Sequence, residues 1–251
     1  MIKCMTMSCE TTVYFNMARK CLIIGATGTG KTHSAKYLDP SSTVIICPDE
    51  KEPPFRGWRK NWTIIKESAT IAEISAGLDN CRSIFYTASF TEIRNLLNGC
   101  SKRPQIKTVL IDTITHAQIK SFMDNAKVKG FDKFTDMAAE VYNLIKSIDK
   151  LRDDMNVVVL AHSDLVDHYG QIKTKFSVPG GKLIGEKIKV EGMFTIVLET
   201  DIEFEDNKPK YSFITQNTGT NMAKSPEGMF EEMKIENNLV TMLEAIEQYE
   251  N

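Results

Sequence analysis

Apolar positions along this chain fall into short uninterrupted runs separated by longer stretches of helical period. Cys21 to Ile24, Thr43 to Cys47, Lys107 to Ile111 and Met155 to Ala161 are rich in β-branched and aliphatic residues. Such runs predict strands buried on both faces. Ser83 to Tyr86 is a shorter strand candidate. A helix is expected from Lys31 to about Leu38, stopped by Asp39-Pro40 because proline cannot continue a helix and restricts the residue before it. Ser89-Phe-Thr-Glu92 has the form of a capping box and opens a helix ending near Gly99. Helical stretches follow to about Ala126 and from about Phe134 to Arg152, the second with Met137, Val141, Leu144, Ile145 and Ile148 on one face. The pattern then changes. Residues 48–62 and 162–192 read as charged loops. Met193 to Thr200 and Tyr211 to Gln216 flank Asp206-Asn-Lys-Pro209 as an antiparallel hairpin, and Val240 to Tyr249 predicts a last helix. The expected fold is α/β: a mainly parallel twisted sheet with helices on both faces and a late antiparallel hairpin.

Composition narrows the picture. At 251 residues, 42% hydrophobic and 25% charged, the chain fits one large domain or a core with a small annex. The organisation expected is an N-terminal extension over 1–17, a core over 18–232 and a C-terminal helical tail over 233–251. Residues 1–16 are polar and β-branched, unlike the rest of the chain, and Met17 is a candidate natural start. No apolar run approaches the roughly 20 residues of a membrane helix, and no secretory pattern stands at the start. Six cysteines are scattered without zinc or CxxC spacing, as expected of reduced thiols in a cytoplasm. A net charge of −2 argues against coating duplex DNA by bulk charge.

The candidate chemistry begins after the first strand. Gly25, Ala26, Thr27, Gly28, Thr29, Gly30, Lys31 and Thr32 match the pattern Gly-x4-Gly-Lys-Ser/Thr in full, between a strand and a helix. Glycines there let backbone N–H groups turn inward around phosphate oxygens, and the helix N-terminus adds its unpaired donors. Lys31 would neutralise the β- and γ-phosphates of ATP and Thr32 would ligate Mg²⁺. Thr108-Val-Leu-Ile-Asp112 ends a buried strand in an aspartate, the second acid a Mg²⁺ shell requires. Asp49 or Glu50 follows the adjacent strand and could orient an attacking water; the longer Glu50 is the expected base. His162 ends the strand after the long helix, where a polar side chain can touch the γ-phosphate.

With these parts in this order, the chain resembles the RecA-core P-loop ATPases, and more closely the phage-encoded RecA-like recombinases that assist single-strand annealing. The resemblance rests on Gly25 to Thr32, Val109-Leu-Ile-Asp112-Thr113, the strand ending at His162, and Ala223-Lys-Ser-Pro-Glu-Gly228. It spans roughly residues 18–230 and differs from the family pattern at His162, where Gln is usual. It implies a DNA-dependent ATPase in the host cytoplasm, a homo-oligomeric ring or filament, and single-stranded DNA with a single-strand-binding protein as partners. It also implies a site shared between subunits, completed by Lys224. No arginine follows Arg152, so a cation from the C-terminal part has to be a lysine. Lys127 and Lys129 near Phe131, and Lys173, Lys175 and Lys182 with Tyr169 and Phe176, are the candidate contacts to single-stranded DNA, cations interleaved with aromatics. Alternatives sharing the site are a motor or loader for DNA replication or packaging, a small-molecule kinase, and a nucleotide-gated binding module.

Overall fold

The computed structural model describes residues 17–130, 132–177 and 189–250. The proposed extension, Phe131 and Lys182 lie outside the described residues, apart from Met17. Ten strands form the sheet, in the order β10-β9-β8-β1-β6-β5-β2-β4-β3 with β7 paired to β6. In chain order these are β1 (Arg19–Gly25), β2 (Thr43–Ile46), β3 (Thr63–Ile65), β4 (Ser83–Phe85), β5 (Thr108–Asp112), β6 (Asn156–His168), β7 (Gln171–Phe176), β8 (Ile196–Glu205), β9 (Lys208–Ile214) and β10 (Lys234–Glu236). From β8 to β3 all neighbours are parallel, whereas β9 runs antiparallel to β8 and β10 to β9. The mainly parallel sheet with a late antiparallel hairpin is therefore as expected. The hairpin turns at Asp206-Asn207, both left-handed with φ of 49° and 60°, which suits the twist of a two-residue loop.

Strand residues alternate between two cores, which explains the uninterrupted apolar runs. In β1, Leu22 and Ile24 enter one core and Cys21 and Ile23 the other. The first core is covered by α3 (Phe90–Ser101), α4 (Ile114–Asp124) and α5 (Asp132–Ile148), with Leu78 of α2 (Ile71–Asn80). The second is covered by a 3-10 helix (Thr32–Tyr37), by Trp58 of the short α1 (Trp58–Asn61), and by Leu239, Met242 and Ile246 of α6 (Leu239–Glu250). Residues 234–250 thus close the sheet edge and the second core.

Several elements depart from the sequence-based expectation. The segment after Lys31 is a 3-10 helix of six residues, with no room for more before Asp39-Pro40. Residues 63–80 hold β3 and α2; Thr70 caps α2 in a reciprocal box with Glu73. Residues 162–176, expected as loop, extend β6 to His168 and return as β7 through the left-handed pair Tyr169-Gly170. Leu165 and Ile172 stand exposed on that hairpin, so its alternation is not that of a strand with one buried face.

Candidate functional site

The strand-end glycine is forced by its neighbours. Gly25 lies level with His162 of β6, and a Cβ there would come within 1.8 Å of Thr200 Oγ1 on β8. Gly28 and Gly30 have φ of 82° and 90°, backbone that costs glycine nothing. Gly30 additionally faces the Tyr211 ring, whose Cδ1 would lie 2.9 Å from an added Cβ. The loop is pinned by Thr29, whose Oγ1 donates to the Ala26 carbonyl at 2.7 Å and lies 2.6 Å from Thr200 Oγ1. Lys31 is buried, and its Nζ donates to the carbonyls of Gly25 at 2.7 Å and Ala26 at 2.6 Å. Burial lowers its pKa to about 8, with the Asp112 charge opposing the shift.

Asp112 is buried at the end of β5. Burial pushes its carboxyl up to about 6; a hydrogen bond from Thr32 opposes this, the Asp49 charge adds to it, and the Lys31 charge opposes it. The expected pair Thr32 and Asp112 is therefore brought together. His162 is half-buried at the same sheet edge. Its backbone N–H donates to Thr115 Oγ1 of α4 at 2.9 Å, and its Nδ1 is buried without a partner among the described residues. Burial, and next the Lys31 charge, lower it to about 4, so its ring is neutral at pH 7. The His116 ring meets it edge-on, centroids 5.5 Å apart.

A cleft of about 420 Å³ runs over these groups, lined by Gly28, Gly30, Lys31, Thr32, Asp112 and His162, and also by Asp49, Lys51, His33 and Tyr211. Glu50, the expected base, is exposed and outside this lining, whereas Asp49 is part of it. The reason is local: Glu50 adopts a left-handed φ of 55°, so the turn carries its side chain to solvent and leaves its two neighbours on the cleft. Asp49 lies 3.8 Å from His116 Nε2, 3.2 Å from Lys51 Nζ and 3.0 Å from Cys47 Sγ. Burial raises its carboxyl, but the bonds from Cys47 and Lys51 and the His116 charge outweigh this and hold it below its ordinary value. Lys224 is half-buried beside β8, its N–H and carbonyl paired with Val197, and it is not part of the cleft lining. Lys127 and Lys129 are exposed on the turn between α4 and α5, and Lys173 and Lys175 are half-buried on β7. Asp49 was visible in the sequence beside Glu50; Lys51, His116 and Tyr211 carry no motif, and only the fold brings them in.

A glycine cradle, a buried lysine and a strand-end carboxylate against a threonine hydroxyl define a P-loop NTPase site. Residues 17–226 match the AAA domain family, and the chain belongs to it. No curated protein matches it. Among solved structures, a KaiC-like protein from the hyperthermophilic archaeon Pyrococcus horikoshii OT3 is similar, with a TM-score of 0.47 and 12% identity over 79% of this chain and 78% of that one. The residues present fit a nucleoside triphosphate with Mg²⁺: the cradle excludes a Cβ at Gly25, Asp112 and Thr32 offer hard oxygen donors, and the unpartnered His162 Nδ1 remains available to a further polar group. No helix among the described residues is long and apolar enough to cross a membrane.

Proposed function

We propose that the chain is a Mg²⁺-dependent ATPase that acts on single-stranded DNA in phage recombination or annealing, working as a homo-oligomer. The observation that carries the DNA reading is the continuity of β6. One strand holds His162 at the cleft and runs on into the hairpin that bears Lys173, Lys175 and the fully projecting Tyr169. A change at the cleft therefore has a direct mechanical route to a cationic, aromatic-tipped arm, of the kind that suits a single-strand backbone and its bases.

Within the cleft, each residue has a task. Lys31 binds the β- and γ-phosphates once it exchanges the carbonyls of Gly25 and Ala26 for phosphate oxygens. Thr32 and Asp112 hold Mg²⁺, which neutralises phosphate charge when bound. Asp49, ionised at pH 7, accepts the proton of the attacking water, and His116 restrains the Asp49 carboxylate. His162 offers a neutral imidazole nitrogen to the terminal phosphate side.

The test is ATP turnover and particle size with and without saturating single-stranded DNA, with Lys31→Ala as the control. Stimulated turnover, abolished by Lys31→Ala, is the expected result. Turnover and size both indifferent to DNA would remove the DNA partner, and turnover indifferent to Lys31→Ala would remove the ATPase reading.

A further inference from the structure

The turn after β2 brings an acid and a cation to the cleft together. With Glu50 left-handed, Asp49 and Lys51 return to the same wall, their carboxylate and ammonium 3.2 Å apart. Lys51 is also tied to the strand end, its carbonyl accepting from Cys47 Sγ at 3.4 Å and its N–H reaching Asp49 Oδ1 at 3.4 Å. Beyond that anchor the side chain is 71% exposed and lines the same cleft as the P-loop residues Gly28, Gly30 and Lys31. It lines the cleft together with Lys31, Thr32, Asp112 and His162, the groups that would surround a terminal phosphate. An ion pair this exposed contributes little to stability, so stability gives a weak reason for the lysine. Lys224, by contrast, pairs with Val197 at the start of β8 and lines no part of its own chain's cleft.

On the reading that the cleft hydrolyses ATP, we propose that Lys51 is the cation that neutralises charge on the transferring phosphoryl group, supplied by the chain that carries the P-loop. In the step concerned, a water oxygen bonds to the γ-phosphorus, and the bond from that phosphorus to the β–γ bridging oxygen breaks. The electron pair of the broken bond stays on the bridging oxygen, which departs as a terminal oxygen of ADP. The water's proton passes to Asp49 and from there to solvent, leaving inorganic phosphate. Charge spread over the three equatorial oxygens is what an ammonium at this wall stabilises, more in the transition state than in bound ATP.

The experiment compares wild type, Lys51→Met, Lys51→Arg and Lys224→Met. Three quantities are measured: turnover, affinity for a non-hydrolysable ATP analogue, and affinity for ADP with aluminium fluoride, a mimic of the transferring phosphoryl group. Lys51→Met is expected to bind the ATP analogue within about threefold of wild type while losing roughly 10²-fold in turnover and in affinity for ADP with aluminium fluoride. Lys51→Arg recovers part of both losses. The proposal is overturned if Lys51→Met keeps wild-type affinity for the aluminium fluoride complex, or if Lys224→Met suffers the loss instead. Wild type that binds ATP without turning it over would sink the hydrolase reading alone, and the aluminium fluoride comparison still decides on Lys51.

Discussion

Asp112 is a residue whose proposed role works against the fold. Burial raises its carboxyl to about 6, from 3.8 in an unfolded chain. Ionising it therefore costs the folded state. The cost is absent below about pH 4, grows as pH rises towards about 6 and is fully present at pH 7. Asp112→Asn removes it. The variant is expected to gain stability on the order of 2 kcal/mol at pH 7 without nucleotide, with the gain vanishing near pH 4. Urea unfolding at the two pH values measures this, and the same variant loses turnover. Lys31 has the converse arrangement: its lowered value means the ammonium is less favoured in the folded chain than in water, and phosphate is the partner that reverses this.

At the scale of elements, the sequence is readable where burial is two-sided. The runs at Cys21, Thr43 and Lys107 each form a strand within two residues of expectation, and the run at Met155 begins one within a residue, because both sheet faces are covered. The α2 helix, absent from the expected elements, does carry a local signal. Thr70 accepts from the Glu73 N–H while the Glu73 carboxylate takes the Thr70 N–H, the reciprocal box also visible as Thr-x-x-Glu in the sequence. Thr70→Ala is expected to lower stability by about 1 kcal/mol and leave nucleotide affinity unchanged, as thermal unfolding and ligand titration would show. At Ser89 the box is half-formed, since the Glu92 side chain accepts from Thr87 instead. The P-loop and Asp112 were legible because their chemistry is written in contiguous residues. The choice between Asp49 and Glu50 was not, because it turns on the φ of one residue rather than on side-chain length. Tyr211 and Thr200 belong to the site only because β8 sits beside β1 and β9 beside β8, a fact of strand order that no local pattern contains.

At the scale of the molecule, the C-terminal segment is part of the body. β10 pairs with β9, and α6 places Leu239, Met242 and Ile246, all fully buried, in the core beneath the P-loop's 3-10 helix. A chain cut after residue 233 loses that cover. Removing several buried aliphatic side chains from one core costs several kcal/mol together. The shortened chain is therefore expected to aggregate or melt well below the full one, and to bind ATP poorly even though every P-loop residue is present. Solubility and thermal unfolding with and without nucleotide check this, and an undiminished melting temperature would contradict it.

The strand order has a consequence for how the protein comes into being. β1 is the first of the described strands to be made, yet its partners are β6 and β8: Arg19 pairs with Asn156, and Cys21 with Ile196. During synthesis an apolar strand carrying an unfinished nucleotide loop must leave the ribosome long before either neighbour exists. Such distant pairing slows folding and leaves strand edges open to wrong partners. Competence then arrives only once β8 has emerged, and a ribosome that stalls before β8 releases a product that has the whole signature motif but lacks one of the two strands flanking β1.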